Sequence, residues 1–272
     1  YYSTFVIEEK FGFNKTTRGT FFSDKLKAYV LSLLVGGGLL LVFLWLIHSM
    51  GPHFWWQFWL VAMGFMLLVN VGYTAWILPL FNTLTPLAEG ELRDKLLQYA
   101  AKVNFPVKHI FVMDGSRRSA KANAFFSGFG KQKKVVLYDT LLEQHTPEEL
   151  VAVLAHEIGH YKKKHLKWGM LVSVVEVGLL LFLLGQVVFS ESMSLALGGT
   201  ALSVPLNIIG FTMLFAPLSM LMGIGMNALS RKHEFEADAY AKETFGGKPL
   251  AEALKTLSVK TLSTIHPHPW YV

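Results

Sequence analysis

Apolar positions are unevenly distributed along this chain. From Ala28 to Ala88 there is no Asp, Glu, Lys or Arg. That run is long enough for two membrane-spanning helices of about 20 residues each. It breaks at His48-Ser49-Met50-Gly51-Pro52-His53, where Gly-Pro marks a turn, so the pattern predicts helices over 27–48 and 54–80. A second charge-free run covers Ser192 to Ser230, and Trp168 to Phe189 ahead of it is apolar except for Glu176, Gln186 and one serine, Ser173. Helices are predicted over 166–189 and 204–232. The last holds Pro205 and Pro217, which membrane helices tolerate better than soluble ones.

Between the runs the pattern changes period. Leu92 to Val103 repeats as a helix does. His109-Ile110-Phe111-Val112-Met113 and Lys134-Val135-Val136-Leu137-Tyr138 read as short strands, ended by Asp114-Gly115 and by Asp139. Thr146-Pro147-Glu148-Glu149 then opens a helix, with Thr as N-cap, Pro at N1 and Glu at N3 as in a capping box. The expected organisation is a polar segment 1–26, a hairpin 27–82, a domain 83–165, a second hairpin 166–232 and a segment 231–272. The fold class is mainly α: a polytopic membrane protein with four transmembrane helices and a small α+β domain on the cytoplasmic face.

Composition supports that division. The chain is 52% hydrophobic and 16% charged, with a mean hydropathy of +0.39. Soluble domains carry about 25% charged residues, so a water-soluble globule is excluded, and disorder with it. The net charge is +6. All 25 Lys and Arg lie in the long polar segments or at the helix ends adjoining them, and none in the two short turns. The basic excess is therefore a topology signal that places the polar segments in the cytoplasm, and no nucleic-acid partner is implied. With no cysteine, disulfides, thiolate metal sites and cysteine nucleophiles are excluded. The first residue is Tyr1, so the sequence is expected to be a fragment of a longer chain.

The capped helix contains His156-Glu157-Ile158-Gly159-His160, an H-E-x-x-H sequence. Residues four apart on a helix share a face, so both imidazoles can reach one ion. A catalytic zinc takes three protein ligands and a water, and it lowers the pKa of that water from 15.7 towards about 7. Glu157 stands beside the pair as the expected general base. An extended motif with a third His six residues on fails, because position 166 is Leu. The best third ligand is Glu234, directly after the fourth predicted span, with Asp238 one turn on to orient a ligand imidazole. One zinc ion is the expected cofactor.

The other polar groups read more plainly. Glu236 is two residues from Glu234 and points elsewhere on a helix; it and Glu243 are expected to be solvated. His165 and His233 read as surface groups among Lys162, Lys163, Lys164, Arg231 and Lys232, which read as interfacial anchors. His48 and His53 lie at the far turn, about 30 Å away across a bilayer. Glu176, inside a predicted span, reads as a helix-packing or cavity residue. From the residues alone Asn123 reads as a turn residue.

Several longer blocks resemble the integral-membrane zinc metalloproteases of the CAAX prenyl protease 1 type. They are Glu9-Lys10-Phe11-Gly12-Phe13-Asn14-Lys15-Thr16-Thr17, Pro79-Leu80-Phe81-Asn82 with Thr85-Pro86-Leu87, Gly115-Ser116-Arg117-Arg118-Ser119 through Asn123-Ala124-Phe125, and Val136 to Leu142. The zinc motif and Ser230 to Asp238 complete the set. The resemblance implies His156, His160 and Glu234 as zinc ligands, Glu157 as base and Asp238 behind a ligand. It implies Asn123, Ala124 and Phe125 as a substrate-binding edge strand, where an extended peptide adds as a further strand. Members have further helices ahead of the segment matching Tyr1. They also continue past Pro267-His268-Pro269 to a His-Pro motif whose histidine steadies the tetrahedral intermediate. No oxyanion residue is therefore assigned, and neither His266 nor His268 is promoted to the role.

The expected activity is hydrolysis of peptide bonds in a peptide or protein substrate, prenylated in CAAX processing or a bacterial equivalent. The expected site is a bacterial inner membrane or the endoplasmic reticulum and inner nuclear membrane, with several local choices bacterial in style. One rival is the related heat-shock type of membrane-protein quality-control protease. A rival of another class is a non-enzymatic four-helix scaffold or channel, which predicts no zinc. Oligomeric state is left open.

Overall fold

The computed structural model describes residues 1–127 and 133–263; His266 and His268 lie outside them. Helices α1 (Arg18–Met50), α2 (Phe54–Gly72) and α3 (Leu78–Phe81) precede strand β1 (Leu84–Pro86) and helix α4 (Glu91–Lys102). Strands β2 (Val107–Met113), β3 (Ala124–Ser127) and β4 (Lys133–Tyr138) follow, then helices α5 (Asp139–Gln144) and α6 (Pro147–Lys162). The chain continues through α7 (His165–Val187), α8 (Glu191–Ala196), α9 (Val204–Thr244) and α10 (Gly247–Lys260). It divides into two compact units: Tyr1–Leu26 with Val71–His165 and the chain from Arg231, and Lys27–Asn70 with Leu166–Ser230.

Among the described residues three helical stretches are long and apolar enough to cross a membrane: Arg18–Phe81, His165–Val187 and Val204–Thr244. The first, 64 residues long, is interrupted by a 3₁₀ turn at Gly51–His53. Gly51 has φ +53°, a conformation open to glycine at no steric cost, and Pro52 follows it. The fourth apolar pattern does not end near position 232. It runs without a break into polar sequence as far as Thr244, forming one helix of 41 residues.

The unit built from Lys27–Asn70 and Leu166–Ser230 is packed by aromatic side chains on small ones. Trp59 Nε1 donates to the Val174 carbonyl at 2.9 Å. A Cβ added at Gly178 would lie 3.1 Å from the Trp59 ring, and one at Gly185 3.1 Å from Trp55, so these glycines let α2 and α7 approach. Asn207, fully buried, donates to the carbonyls of Val188 (3.0 Å) and Ser190 (2.9 Å) and accepts from Ser194 Oγ (2.9 Å). It reaches the Val188 carbonyl just past the end of α7 and shares the Ser190 carbonyl with the first turn of α8.

The other unit holds a four-stranded sheet in the order β1-β2-β4-β3, with β2 and β4 parallel and both outer pairs antiparallel. β4 is central and reads as a continuous apolar run because both of its faces are covered. Val135 and Leu137 join Leu96, Tyr99, Leu150, Leu154 and Ile158 in the main core, and Val136 packs with Leu78 and Met113 on the opposite face. Two elements here are too short to leave a clear sequence signature, β1 at three residues and α5 at six, whereas α10 carries helical spacing at Leu250, Ala253, Leu254 and Leu257 that the sequence reading did not use. Arg118 ties down the N-terminal segment. Its Nε and Nη2 donate to Asp24 at 2.7 and 3.1 Å, Nη2 also donates to the Phe81 carbonyl, and Thr16 Oγ1 donates to the Arg118 carbonyl at 2.9 Å.

Candidate metal centre and substrate cleft

α6 is positioned by its own sequence. Thr146 Oγ1 accepts from the Glu149 N–H at 3.3 Å, and Glu149 Oε2 accepts from the Thr146 N–H at 3.0 Å, so the expected capping box is closed at both ends. Leu150, Val151, Leu154, Ala155 and Ile158 form a buried stripe on the sheet side. His156 and His160 stand one turn apart beside that stripe, partly exposed.

α9 approaches α6 at Gly159. A Cβ there would lie 3.0 Å from Ala237 Cα and 3.1 Å from its carbonyl oxygen, a backbone contact that a larger residue would obstruct. Glu234 and Asp238 sit on either side of Ala237 and reach the imidazoles. His156 Nε2 is 3.1 Å from His160 Nε2 and 3.3 Å from Glu234 Oε2, and His160 Nε2 is 3.7 Å from the same oxygen. His156 Nδ1 lies 2.8 Å from Asp238 Oδ1.

This arrangement fits a zinc ion. Bonds of about 2.0–2.1 Å in a tetrahedron set ligand atoms about 3.3–3.4 Å apart, and the three edges here bracket that length. The donor chemistry agrees. His156 Nδ1 faces the Asp238 carboxylate, which can only accept, so a neutral His156 carries its hydrogen there and turns the Nε2 lone pair inward. With the hydrogen of His160 also on Nδ1, two lone pairs and a carboxylate would converge, a set suited to a cation. Among the described residues, His156, His160 and Glu234 are the cluster that could hold a metal ion.

Burial, the larger influence, pushes the Glu157 carboxyl up to about 7; the His156 charge opposes the shift and Glu234 adds to it. For His156, burial disfavours the charged ring, but the hydrogen bond to Asp238 and the nearby carboxylates outweigh it and leave the pKa raised. His160 is lowered, by burial first and then by His156.

His156, Glu157, Glu234 and Asp238 line a cleft of about 260 Å³ that also touches Asn123, Ala124, His145, and Leu250, Leu254 and Leu257 of α10. A larger hollow, about 370 Å³, is lined by Lys95, Lys102 and Phe245 and holds no histidine, so chemistry rather than size selects the cleft. β3 is an edge strand. The Asn123 carbonyl accepts from the Tyr138 N–H at 3.0 Å, and hydrogen-bonded and open pairs alternate along an antiparallel ladder. The pairs Ala124–Leu137 and Phe126–Val135 are therefore open, and the N–H and C=O of Ala124 and Phe126 face the free edge. Asn123 Oδ1 accepts from the Ala124 N–H at 2.9 Å.

Residues 86–271 match peptidase family M48, and residues 1–83 match the CAAX prenyl protease N-terminal family, described as five membrane helices. The chain belongs to peptidase family M48. Among similar M48 proteins is the "CAAX prenyl protease 1 homolog" of Oryza sativa, 40% identical over 99% of this chain and 64% of its own length. The "CAAX prenyl protease 1" of Saccharomyces cerevisiae is 36% identical over 100% of this chain and 63% of its own. The crystal structure of S. mikatae Ste24p superposes with a TM-score of 0.92 at 35% identity, covering 100% of this chain and 67% of that one. The chain thus spans somewhat under two thirds of the length of these curated M48 relatives.

The structure brings His156, Glu157, His160, Glu234 and Asp238 together and sets Asn123 and Ala124 on the same cleft. Phe125 packs against Val136 and Met113, away from the cleft lining. Sequence reasoning passed over three residues. Phe126 offers the second outward backbone pair, which counting by two from Ala124 would have found. His165 was expected at the surface and Glu236 in solvent. His165 is instead 6% exposed and bonded to Glu236. The available signal was a third histidine in the same local stretch as the motif.

Proposed function

We propose that this chain carries the catalytic centre of a membrane-embedded zinc metalloendopeptidase acting on CAAX-type prenylated proteins. The observation that supports it best is the convergence of His156 Nε2, His160 Nε2 and Glu234 Oε2 beside Glu157, in one cleft with an edge strand. The three donors hold the ion, and Asp238 orients His156 by accepting its Nδ1–H. Zinc, when bound, supplies Lewis-acid activation of a water and of a peptide carbonyl. Glu157 takes up the proton of the attacking water at a carboxylate oxygen and returns it to the leaving amine nitrogen. The peptide lies extended along β3, its backbone paired with Ala124 and Phe126, and its carbonyl replaces Asn123 Oδ1 as acceptor of the Ala124 N–H.

Hairpins 27–82 and 166–232 form the membrane part and cross the bilayer four times. Segments 1–26, 83–165 and 231–272 face the cytoplasm, because the basic residues are confined to them and to adjoining helix ends. The similar proteins named CAAX prenyl protease 1 support prenylated substrates in a eukaryotic membrane.

The test is cleavage of a prenylated CAAX peptide, its unprenylated twin and an unfolded membrane protein by purified protein, with zinc measured alongside. Preference for the prenylated peptide is expected. Preference for the unfolded protein would favour a quality-control protease, and absence of zinc and of all cleavage would favour a scaffold or channel.

A further inference from the structure

Behind the donor cluster lies a second set of side chains, His165, Glu236 and His233. His165 opens α7 and is 6% exposed. Its Nδ1 is 2.9 Å from Nδ1 of His160, and its Nε2 is 2.9 Å from Oε2 of Glu236. Its ring stacks on His233 with centroids 4.0 Å apart and planes 11° from parallel. Lys164, at φ 62° between α6 and α7, turns the chain so that His165 comes back against His160. Glu236, two residues after Glu234, leaves α9 on another face, and there it meets His165 instead of the donors.

With both rings neutral and Glu236 ionised, the bonds allow one consistent assignment of hydrogens. His160 Nε2 faces His156 and Glu234. If that nitrogen keeps its lone pair for a metal, the neutral ring carries its hydrogen on Nδ1. That N–H donates to His165 Nδ1, which must then accept. His165 carries its own hydrogen on Nε2 and donates it to Glu236. Each group has one role, and the chain ends on a carboxylate. His156 has the short version of the same device, with its Nδ1–H on Asp238 directly.

We propose that His165 and Glu236 form a positioning relay that fixes the tautomer and ring orientation of His160 and so strengthens metal binding. The relay rests on the reading of His156, His160 and Glu234 as the metal donors. Partners behind a ligating histidine are worth about 10–100-fold in metal affinity.

The experiment measures zinc Kd of the full chain in detergent by chelator competition at fixed pH. His165→Phe keeps a ring to stack on His233 but accepts no hydrogen bond, and a rise of about 10–100-fold in Kd is expected. His165→Gln accepts through its oxygen and donates through its nitrogen in the same direction, so it should recover most of the loss. Glu236→Ala should weaken zinc binding in the parent but add little in the His165→Phe background, where the relay is already cut. An unchanged Kd in His165→Phe, or a full Glu236→Ala effect in that background, overturns the relay. If His165→Phe fails to fold, Glu236→Ala carries the test, since that side chain is 37% exposed; an unchanged Kd there also overturns it. A parent chain that binds no zinc overturns the donor reading and the relay with it. A parent that loads zinc and loses it with Glu234→Ala, while both relay variants bind normally, overturns the relay alone.

Discussion

Gly159 stands between His156 and His160, and its role is steric. The backbone of Ala237 occupies the space where a side chain would start, and this close approach lets Glu234 and Asp238 flank one imidazole pair. Gly159→Val forces α9 outward. Overpacking of this kind costs about 1–3 kcal/mol, so both a lower melting temperature and weaker zinc binding are expected in thermal scans and metal titration. At Glu157, the proposed base, Glu157→Gln keeps the size of the side chain and removes the proton acceptor. Zinc content should be unchanged while kcat falls by about 10²–10⁴-fold; cleavage at the parental rate would exclude Glu157 as the base. Glu234→Ala removes one of the three proposed zinc donors, and metal analysis should show substoichiometric zinc.

Local and tertiary influences meet in the elements. α6 begins where its sequence says it should, because Thr146 and Glu149 satisfy each other's N–H groups. Thr146→Ala leaves N–H groups at the helix start without a partner and should cost about 1 kcal/mol, read as a lowered melting temperature with zinc stoichiometry retained. Glu149 Oε2 also lies 3.2 Å from Nδ1 of the buried His145, so Glu149→Ala should cost more than Thr146→Ala. α9 is different. Its apolar half reads as a span and its polar half as a separate helix, yet the backbone hydrogen bonds run through both. Helix propagation needs no change of backbone where solvent polarity changes, so hydropathy could not mark an end there. β1 and α5 were hard to see, because three to six residues carry too little periodicity to stand out. α10 was legible in the spacing of Leu250, Ala253, Leu254 and Leu257, and Leu250 and Ala253 pack into the unit's interior.

For the whole molecule the open matter is which way the chain is threaded. The absence of cysteine makes the question accessible, since each introduced thiol is unique. Ser49, Lys163 and Thr200 are exposed. With four crossings and basic segments inside, Ser49→Cys and Thr200→Cys should react with an impermeant maleimide added to sealed cells. Lys163→Cys should react only after permeabilisation. The opposite pattern would reverse the orientation, and labelling of Ser49→Cys and Lys163→Cys together would deny a crossing between them.

By itself, the sequence determined what depends on neighbours along the chain. Charge cannot enter hydrocarbon cheaply, so the charge-free runs mark apolar helices. A helix repeats every 3.6 residues, so H-E-x-x-H places two imidazoles on one face, and a capping box is closed within four residues. The longer blocks also identified the family. Only the tertiary structure decided which distant groups complete these local devices. Asp238 reaches His156 across 82 residues and Glu236 reaches His165 across 71. β3 is an edge strand because of the strand order, and His165, polar and preceded by three lysines, is buried where Glu236 and His233 of α9 meet it. No local pattern encodes these pairings. They follow from which surfaces pack together, and at Gly159 from the absence of a single Cβ between two backbones.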